Sequence, residues 1–190
     1  MTRAAVLLLL TLVLGVPAAT GAGPAPGPGP VAAGGYGWPL PGLDREAGAG
    51  PPRRGTVTRR FDAPPTFYGR GHRGVDLAAV PGTPVLAAGA GVVVFAGRVA
   101  GRGVVSVRHP DGLRTTYEPV AATVAPGSPV ARGSPVGVLE AGHAGCPSAA
   151  CLHWGLRRPA PGAAGGREQY LDPLLLVGLG RMRLLPWALG

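Results

Sequence analysis

The chain contains no lysine: all 18 of its Lys+Arg residues are arginine. Carrier domains that bear a lipoyl or biotinyl group attach it to a lysine amine. That class is excluded, even though the glycine-turned segment 88–139 has a similar hairpin texture. Cysteine is almost absent too, with Cys146 and Cys151 the only two. No His-Glu-x-x-His run occurs, which removes the helical zinc motif whose glutamate serves as general base. After the first 20 residues no apolar run approaches the roughly 20 residues that a spanning helix needs. The leucine-rich segment 171–189 is interrupted by Asp172, Pro173, Gly178, Gly180, Arg181, Arg183 and Pro186.

Residues 1–22 read as a secretory signal. Arg3 gives the positive start, residues 4–16 are almost wholly apolar, and small residues between Ala18 and Ala22 suit cleavage. An uncleaved signal-anchor is the alternative that the same residues allow. The expected protein is therefore secreted or cell-wall associated, with no stable membrane span after signal cleavage. Residues 23–55 form a Gly/Pro-rich linker and N-terminal arm that can bury too little to offset its ordering entropy. Within it Tyr36, Trp38, Leu40 and Leu43 are able to dock on a neighbour. The formal net charge is +9. A basic surface suits anionic wall polymers or another anionic partner. The competing explanation is a GC-rich genome, which replaces lysine by arginine and inflates alanine, glycine and proline. The arginines are scattered along the chain rather than striped, which favours composition. Export argues against nucleic acid as a partner.

From residue 56 the texture is β. Candidate strands are 56–62, 74–79, 84–88, 91–99, 103–109, 113–120, 136–140 and 151–158, short and valine-rich, with glycine and proline between them. His109-Pro110-Asp111-Gly112 predicts a hairpin turn. Gly127-Ser128-Pro129-Val130 recurs as Gly133-Ser134-Pro135-Val136, read as two tight turns in a meander. Asp172-Pro173 predicts an N-cap and first helical residue for a short helix through Val177. The fold class is all-β: a domain at 56–160 and an extension at 161–190 with that helix.

In an extended chain His72, Gly74 and Asp76 share one face, with open space at the glycine. The segment 151–157 alternates, placing Cys151, His153, Gly155 and Arg157 on one side and Leu152, Trp154 and Leu156 toward the core. Imidazoles and a carboxylate suit zinc, and a catalytic site uses three protein ligands. His72, Asp76 and His153 fit that count. Two neighbouring cysteines in an exported protein imply a Cys146–Cys151 disulfide. A Cys151 thiolate, on the same face as His153, is also able to ligate zinc, and the residues alone leave both readings open.

The segment from Phe61 to Arg158 resembles a lysostaphin/LytM-type zinc metallopeptidase domain. His72-Arg73-Gly74-Val75-Asp76 matches that family's His-x-Gly-x-Asp element. Gly82-Thr83-Pro84-Val85, Ala90-Gly91-Val92-Val93, the turn His109 to Gly112, Thr115-Thr116-Tyr117 and the paired turns of Val124 to Gly137 follow in the family's order. The resemblance implies antiparallel sheets forming a groove, a duplicated-hybrid-motif-like β sandwich or barrel. It also implies Zn2+ held by His72, Asp76 and His153, and action on peptidoglycan or cell-wall peptides.

Two departures stand out. The family has a histidine where Pro119 stands, and another where Cys151 stands, thought to act as general base and oxyanion partner. Proline and a disulfide-bonded cysteine can do neither. A replacement group, Glu118 or His143, is one explanation. Glu118 is expected on the strand face opposite Pro119, which counts against it unless the strand bends. Slow attack by water without a proper base is a second. The third is a zinc-holding fold that no longer cleaves, and binds peptidoglycan or activates another wall hydrolase.

Overall fold

Alternating valine-rich runs pair into two antiparallel sheets in the computed structural model, which describes residues 35–43, 57–66, 69–159 and 168–179. The expected secretory signal lies outside the described residues. The strands are β1 (Val57–Arg59), β2 (Gly74–Ala79), β3 (Pro84–Leu86), β4 (Gly91–Val99), β5 (Arg102–Arg108), β6 (Arg114–Glu118), β7 (Val120–Ala122), β8 (Pro129–Val130), β9 (Pro135–Leu139), β10 (Ala150–Pro159) and β11 (Glu168–Leu171). The large sheet has the order β1-β2-β10-β6-β5-β4-β8, with β11 paired to the far end of β10. The small sheet has the order β3-β9-β7.

Period-two alternation gives each strand of the large sheet one core face. Val75 and Leu77 of β2, Leu152 and Trp154 of β10, Tyr117 of β6 and Val105 and Val107 of β5 are fully buried. They share one core with Val85, Val120, Val136 and Leu139 of the small sheet. Each such side chain contributes roughly 1.5–3 kcal/mol by leaving water. The arm joins this core through Trp38 and Leu40. Its backbone is tied along β3 by Gly37 N–H to Ala88 O at 2.8 Å and Leu86 N–H to Pro39 O at 2.8 Å.

The expected strand 113–120 is split. Proline has no N–H to give a ladder, so β6 ends at Glu118. After the cis Glu118–Pro119 peptide the chain leaves for β7 in the small sheet. The paired Gly-Ser-Pro-Val turns are present, with Gly127 and Gly133 both at positive φ. They do not form a meander: β8 joins the large sheet and β9 the small one. β11 and the two-residue β8 were not among the expected strands. The C-terminal helix is a single 3-10 segment, Pro173–Val177, capped by the Asp172 side chain accepting from Leu174 N–H.

The β5–β6 hairpin closes over a buried polar chain. Ala88 N–H donates to Tyr117 Oη at 2.8 Å, and the Tyr117 hydroxyl lies 2.8 Å from Thr115 Oγ1. Thr115 Oγ1 is 2.9 Å from His109 Nε2, and His109 Nδ1 is 2.9 Å from Ala90 O. Since a carbonyl only accepts, Nδ1–H donates to Ala90, Thr115 donates to Nε2, and Tyr117 donates to Thr115. His109 therefore anchors the hairpin from the core side, away from the groove.

Candidate metal centre

The outer face of the large sheet is the floor of an open groove of about 830 Å3. Cross-strand register sets its side chains in rows. Asp76 on β2 stands opposite His153 on β10, and His153 opposite Glu118 on β6. Directly opposed residues project to the same face, so these three form one row. His72 lies two residues before β2 and is pinned by a bridge in which Asp62 and His72 exchange backbone hydrogen bonds at 2.8 and 2.9 Å.

Three donor atoms converge here. His72 Nε2 is 2.9 Å and His153 Nδ1 2.8 Å from Asp76 Oδ1, and the two nitrogens are 3.1 Å apart. His72 Nδ1 lies 2.8 Å from Arg60 O. Nδ1–H therefore donates to that carbonyl, and in the neutral ring Nε2 presents a lone pair to the centre. Three such atoms facing one another form a donor set able to hold a metal cation. A tetrahedral metal with bonds of about 2.1 Å sets neighbouring donors about 3.4 Å apart. The observed separations of 2.8, 2.9 and 3.1 Å are shorter than that. His72 and Asp76 are buried, and His153 is partly exposed to the groove. Burial raises the Asp76 pKa. The hydrogen bond with His153 and the nearness of His72 and His143 outweigh it and leave the carboxyl well below the usual range.

Gly74 is not open space, as the alternation implied. A Cβ there would lie 2.7 Å from His153 Nε2 and 2.4 Å from Trp154 O. The glycine is what admits the His153 ring.

Both candidate replacement residues reach the site. The His143 ring stacks on the His153 ring, and its Nε2 is 3.6 Å from Asp76 Oδ1. Its Nδ1 is buried with no hydrogen-bond partner among the described residues. Burial holds this ring below the ordinary histidine value; Asp76 opposes that and His153 adds to it. Glu118 is on the groove face, beside His153, and accepts from Arg102 Nε at 3.3 Å. Cys151 is bonded to Cys146, so it is not a metal ligand. The disulfide closes the loop that carries His143.

The groove also holds residues the sequence reading did not single out: Arg108 and Arg114, with Tyr170 above Arg157 at 4.7 Å. No helix among the described residues is long and apolar enough to cross a membrane.

The model of Peptidase family M23 matches residues 70–173. A Mycobacterium tuberculosis protein is 52% identical over 151 residues, which are 79% of this chain and 54% of that protein. This chain thus spans about half the length of that relative. The DD-carboxypeptidase/endopeptidase Mpg of Neisseria meningitidis is 49% identical over 47 residues, 24% of this chain and 11% of that protein. Among solved structures, the catalytic domain of the antimicrobial peptidase lysostaphin from Staphylococcus simulans matches at 25% identity with a TM-score of 0.50. That match covers 63% of this chain and 89% of that one.

Proposed function

Because this chain belongs to peptidase family M23, we propose that it is an exported, secreted or wall-associated zinc metalloendopeptidase acting on peptidoglycan peptides. The observation that carries the reading is the convergence of His72 Nε2, Asp76 Oδ1 and His153 Nδ1 on one point in an open groove. These three residues would hold Zn2+, which when bound supplies Lewis acidity at the scissile carbonyl.

The chain's own residues supply the rest. The Arg60 carbonyl fixes the His72 tautomer, and Asp76 faces both imidazoles across the centre. His143 is the general base, taking the proton of the attacking water and returning it to the leaving amine. It stands 3.6 Å from Asp76 and stacks on His153. Glu118, in the same row, is the second acid–base group.

One observation favours a second reading. Pro119 and the disulfide-bonded Cys151 occupy the two positions where the resemblance implies catalytic histidines. A domain with the ligand set but no proton transfer would bind wall peptides or activate another wall hydrolase.

The experiment is incubation of the oxidised, zinc-loaded chain with purified peptidoglycan, followed by mass analysis of released fragments. The peptidase reading expects one zinc per chain and fragments absent from an Asp76→Ala control. Zinc binding without product above that control leaves the binding reading. Absence of zinc, with His72→Ala behaving like the parent, removes both.

A further inference from the structure

The groove continues past the metal site to a second row. Arg157 on β10 stands opposite Tyr170 on β11 and opposite Arg114 on β6, and Arg114 stands opposite Arg108 on β5. All four line the groove. Arginines far apart in sequence thus lie side by side across neighbouring strands. The row is four residues along β10 from His153, about 13 Å at 3.3 Å per residue. Between the rows stand Gly74, Gly155, Thr116 and Ser106 in register.

Like charges set side by side repel, so a row of arginines costs stability unless something compensates it. Glu168 Oε2 lies 2.7 Å from Arg114 and 3.4 Å from Arg157. One carboxylate against three guanidinium groups leaves two charges over. Arg108 makes no ion pair among the described residues. The Nε atoms of Arg114 and Arg157 are buried without an acceptor among the described residues. Burial lowers the Arg114 pKa; Glu168 opposes this, and Arg157 and Arg108 lower it further. The groups are close enough to feel one another.

We propose that this arginine row is a subsite for a free carboxylate on the peptide substrate, about four extended residues from the bond at the metal. The proposal rests on the peptidase reading above. Guanidinium groups match a carboxylate in bidentate geometry, and one such group offsets half of the excess charge. A repeating polyanion fits less well, because Glu118 faces it in the other row and the apolar Phe95 and Val104 also line the groove.

The test is a binding titration of the oxidised, zinc-loaded chain with two cell-wall stem peptides, one with its carboxylates free and the other with them amidated. The acid form is expected to bind at least about tenfold tighter, as charge-assisted hydrogen bonds imply. In Arg108→Gln and Arg157→Gln that preference is expected to fall to about twofold or less. Arg108→Gln leaves both Glu168 ion pairs intact, so it reports even if Arg157→Gln fails to fold. Equal affinity for the two peptides, or a preference that survives Arg108→Gln, overturns the proposal. So does a glycerol-phosphate oligomer that binds tighter than the acid peptide and loses affinity in the same variants. Peptidoglycan cleavage measured alongside separates the two readings. Cleavage without discrimination removes only the subsite, and discrimination without cleavage removes only the peptidase.

Discussion

The His143 ring lies nearly parallel to the His153 ring, with centroids 5.8 Å apart and planes 10° apart. His153 is fixed by its strand, whereas His143 comes from the loop between β9 and β10. The Cys146–Cys151 disulfide ties that loop to the first residues of β10, and Cys146 N–H donates to His143 O at 3.0 Å. The cysteine that replaces one histidine of the family pattern thus anchors the loop that brings another histidine in.

His143→Ala is therefore expected to lower fragment release from peptidoglycan by about 10²–10⁴-fold, the usual worth of a positioned general base. Zinc content should stay at the parent level, measured by metal analysis of the dialysed variant. Activity at the parent level would remove His143 from the mechanism.

The disulfide closes a loop with a sequence separation of 5. Its loss in a Cys146→Ser/Cys151→Ser variant is expected to cost about 2 kcal/mol, from the entropy of so short a closure. Urea unfolding of the two proteins measures this. The same variant should lose more activity than zinc affinity, because His143 is released while the three ligands remain on their own elements.

Gly74→Ala is expected to destabilise the fold by about 1–3 kcal/mol, since the new methyl meets the Trp154 carbonyl and forces backbone movement. It also pushes the His153 ring off the donor triangle. Equilibrium dialysis should find zinc affinity reduced by at least about tenfold, and unfolding curves should report the stability loss.

His109 predicts a pH dependence. Burial holds its pKa below the ordinary value, against the opposing pull of the Ala90 carbonyl and the Asp111 charge. The unfolded ring takes up its proton near pH 6.5 and the folded ring only at lower pH. Its contribution is thus complete above about pH 6.5 and is lost as pH falls through the folded value. In zinc-free protein, the urea midpoint of His109→Gln should fall less steeply than the parent's between about pH 7 and pH 5.

The convergence of His72, Asp76 and His153 was legible because alternation along a strand is local: Gly74 to Asp76 and Cys151 to Arg157 carry their faces in their own spacing. Glu118 was harder. Strand register, which no single segment encodes, sets it opposite His153. The expectation that it faces away came from taking Pro119 as the groove residue of an unbroken strand, and the strand ends before that proline. His143 was a candidate without a place, because its position depends on a loop and a disulfide. The arginines looked scattered for the same reason that Glu118 looked misplaced: Arg108, Arg114 and Arg157 align only across strands. β11 was missed because four residues without alternation give no periodic signal.

Strand β10 carries His153 and Arg157 on one extended backbone with no hinge between them. Its neighbours β6 and, farther along, β11 hold it in register on either side. Such a strand works as a gauge: thermal motion tilts it but barely changes the distance between its marks. Any ligand that touches both marks is measured by contour length, and one residue more or less puts it out of step.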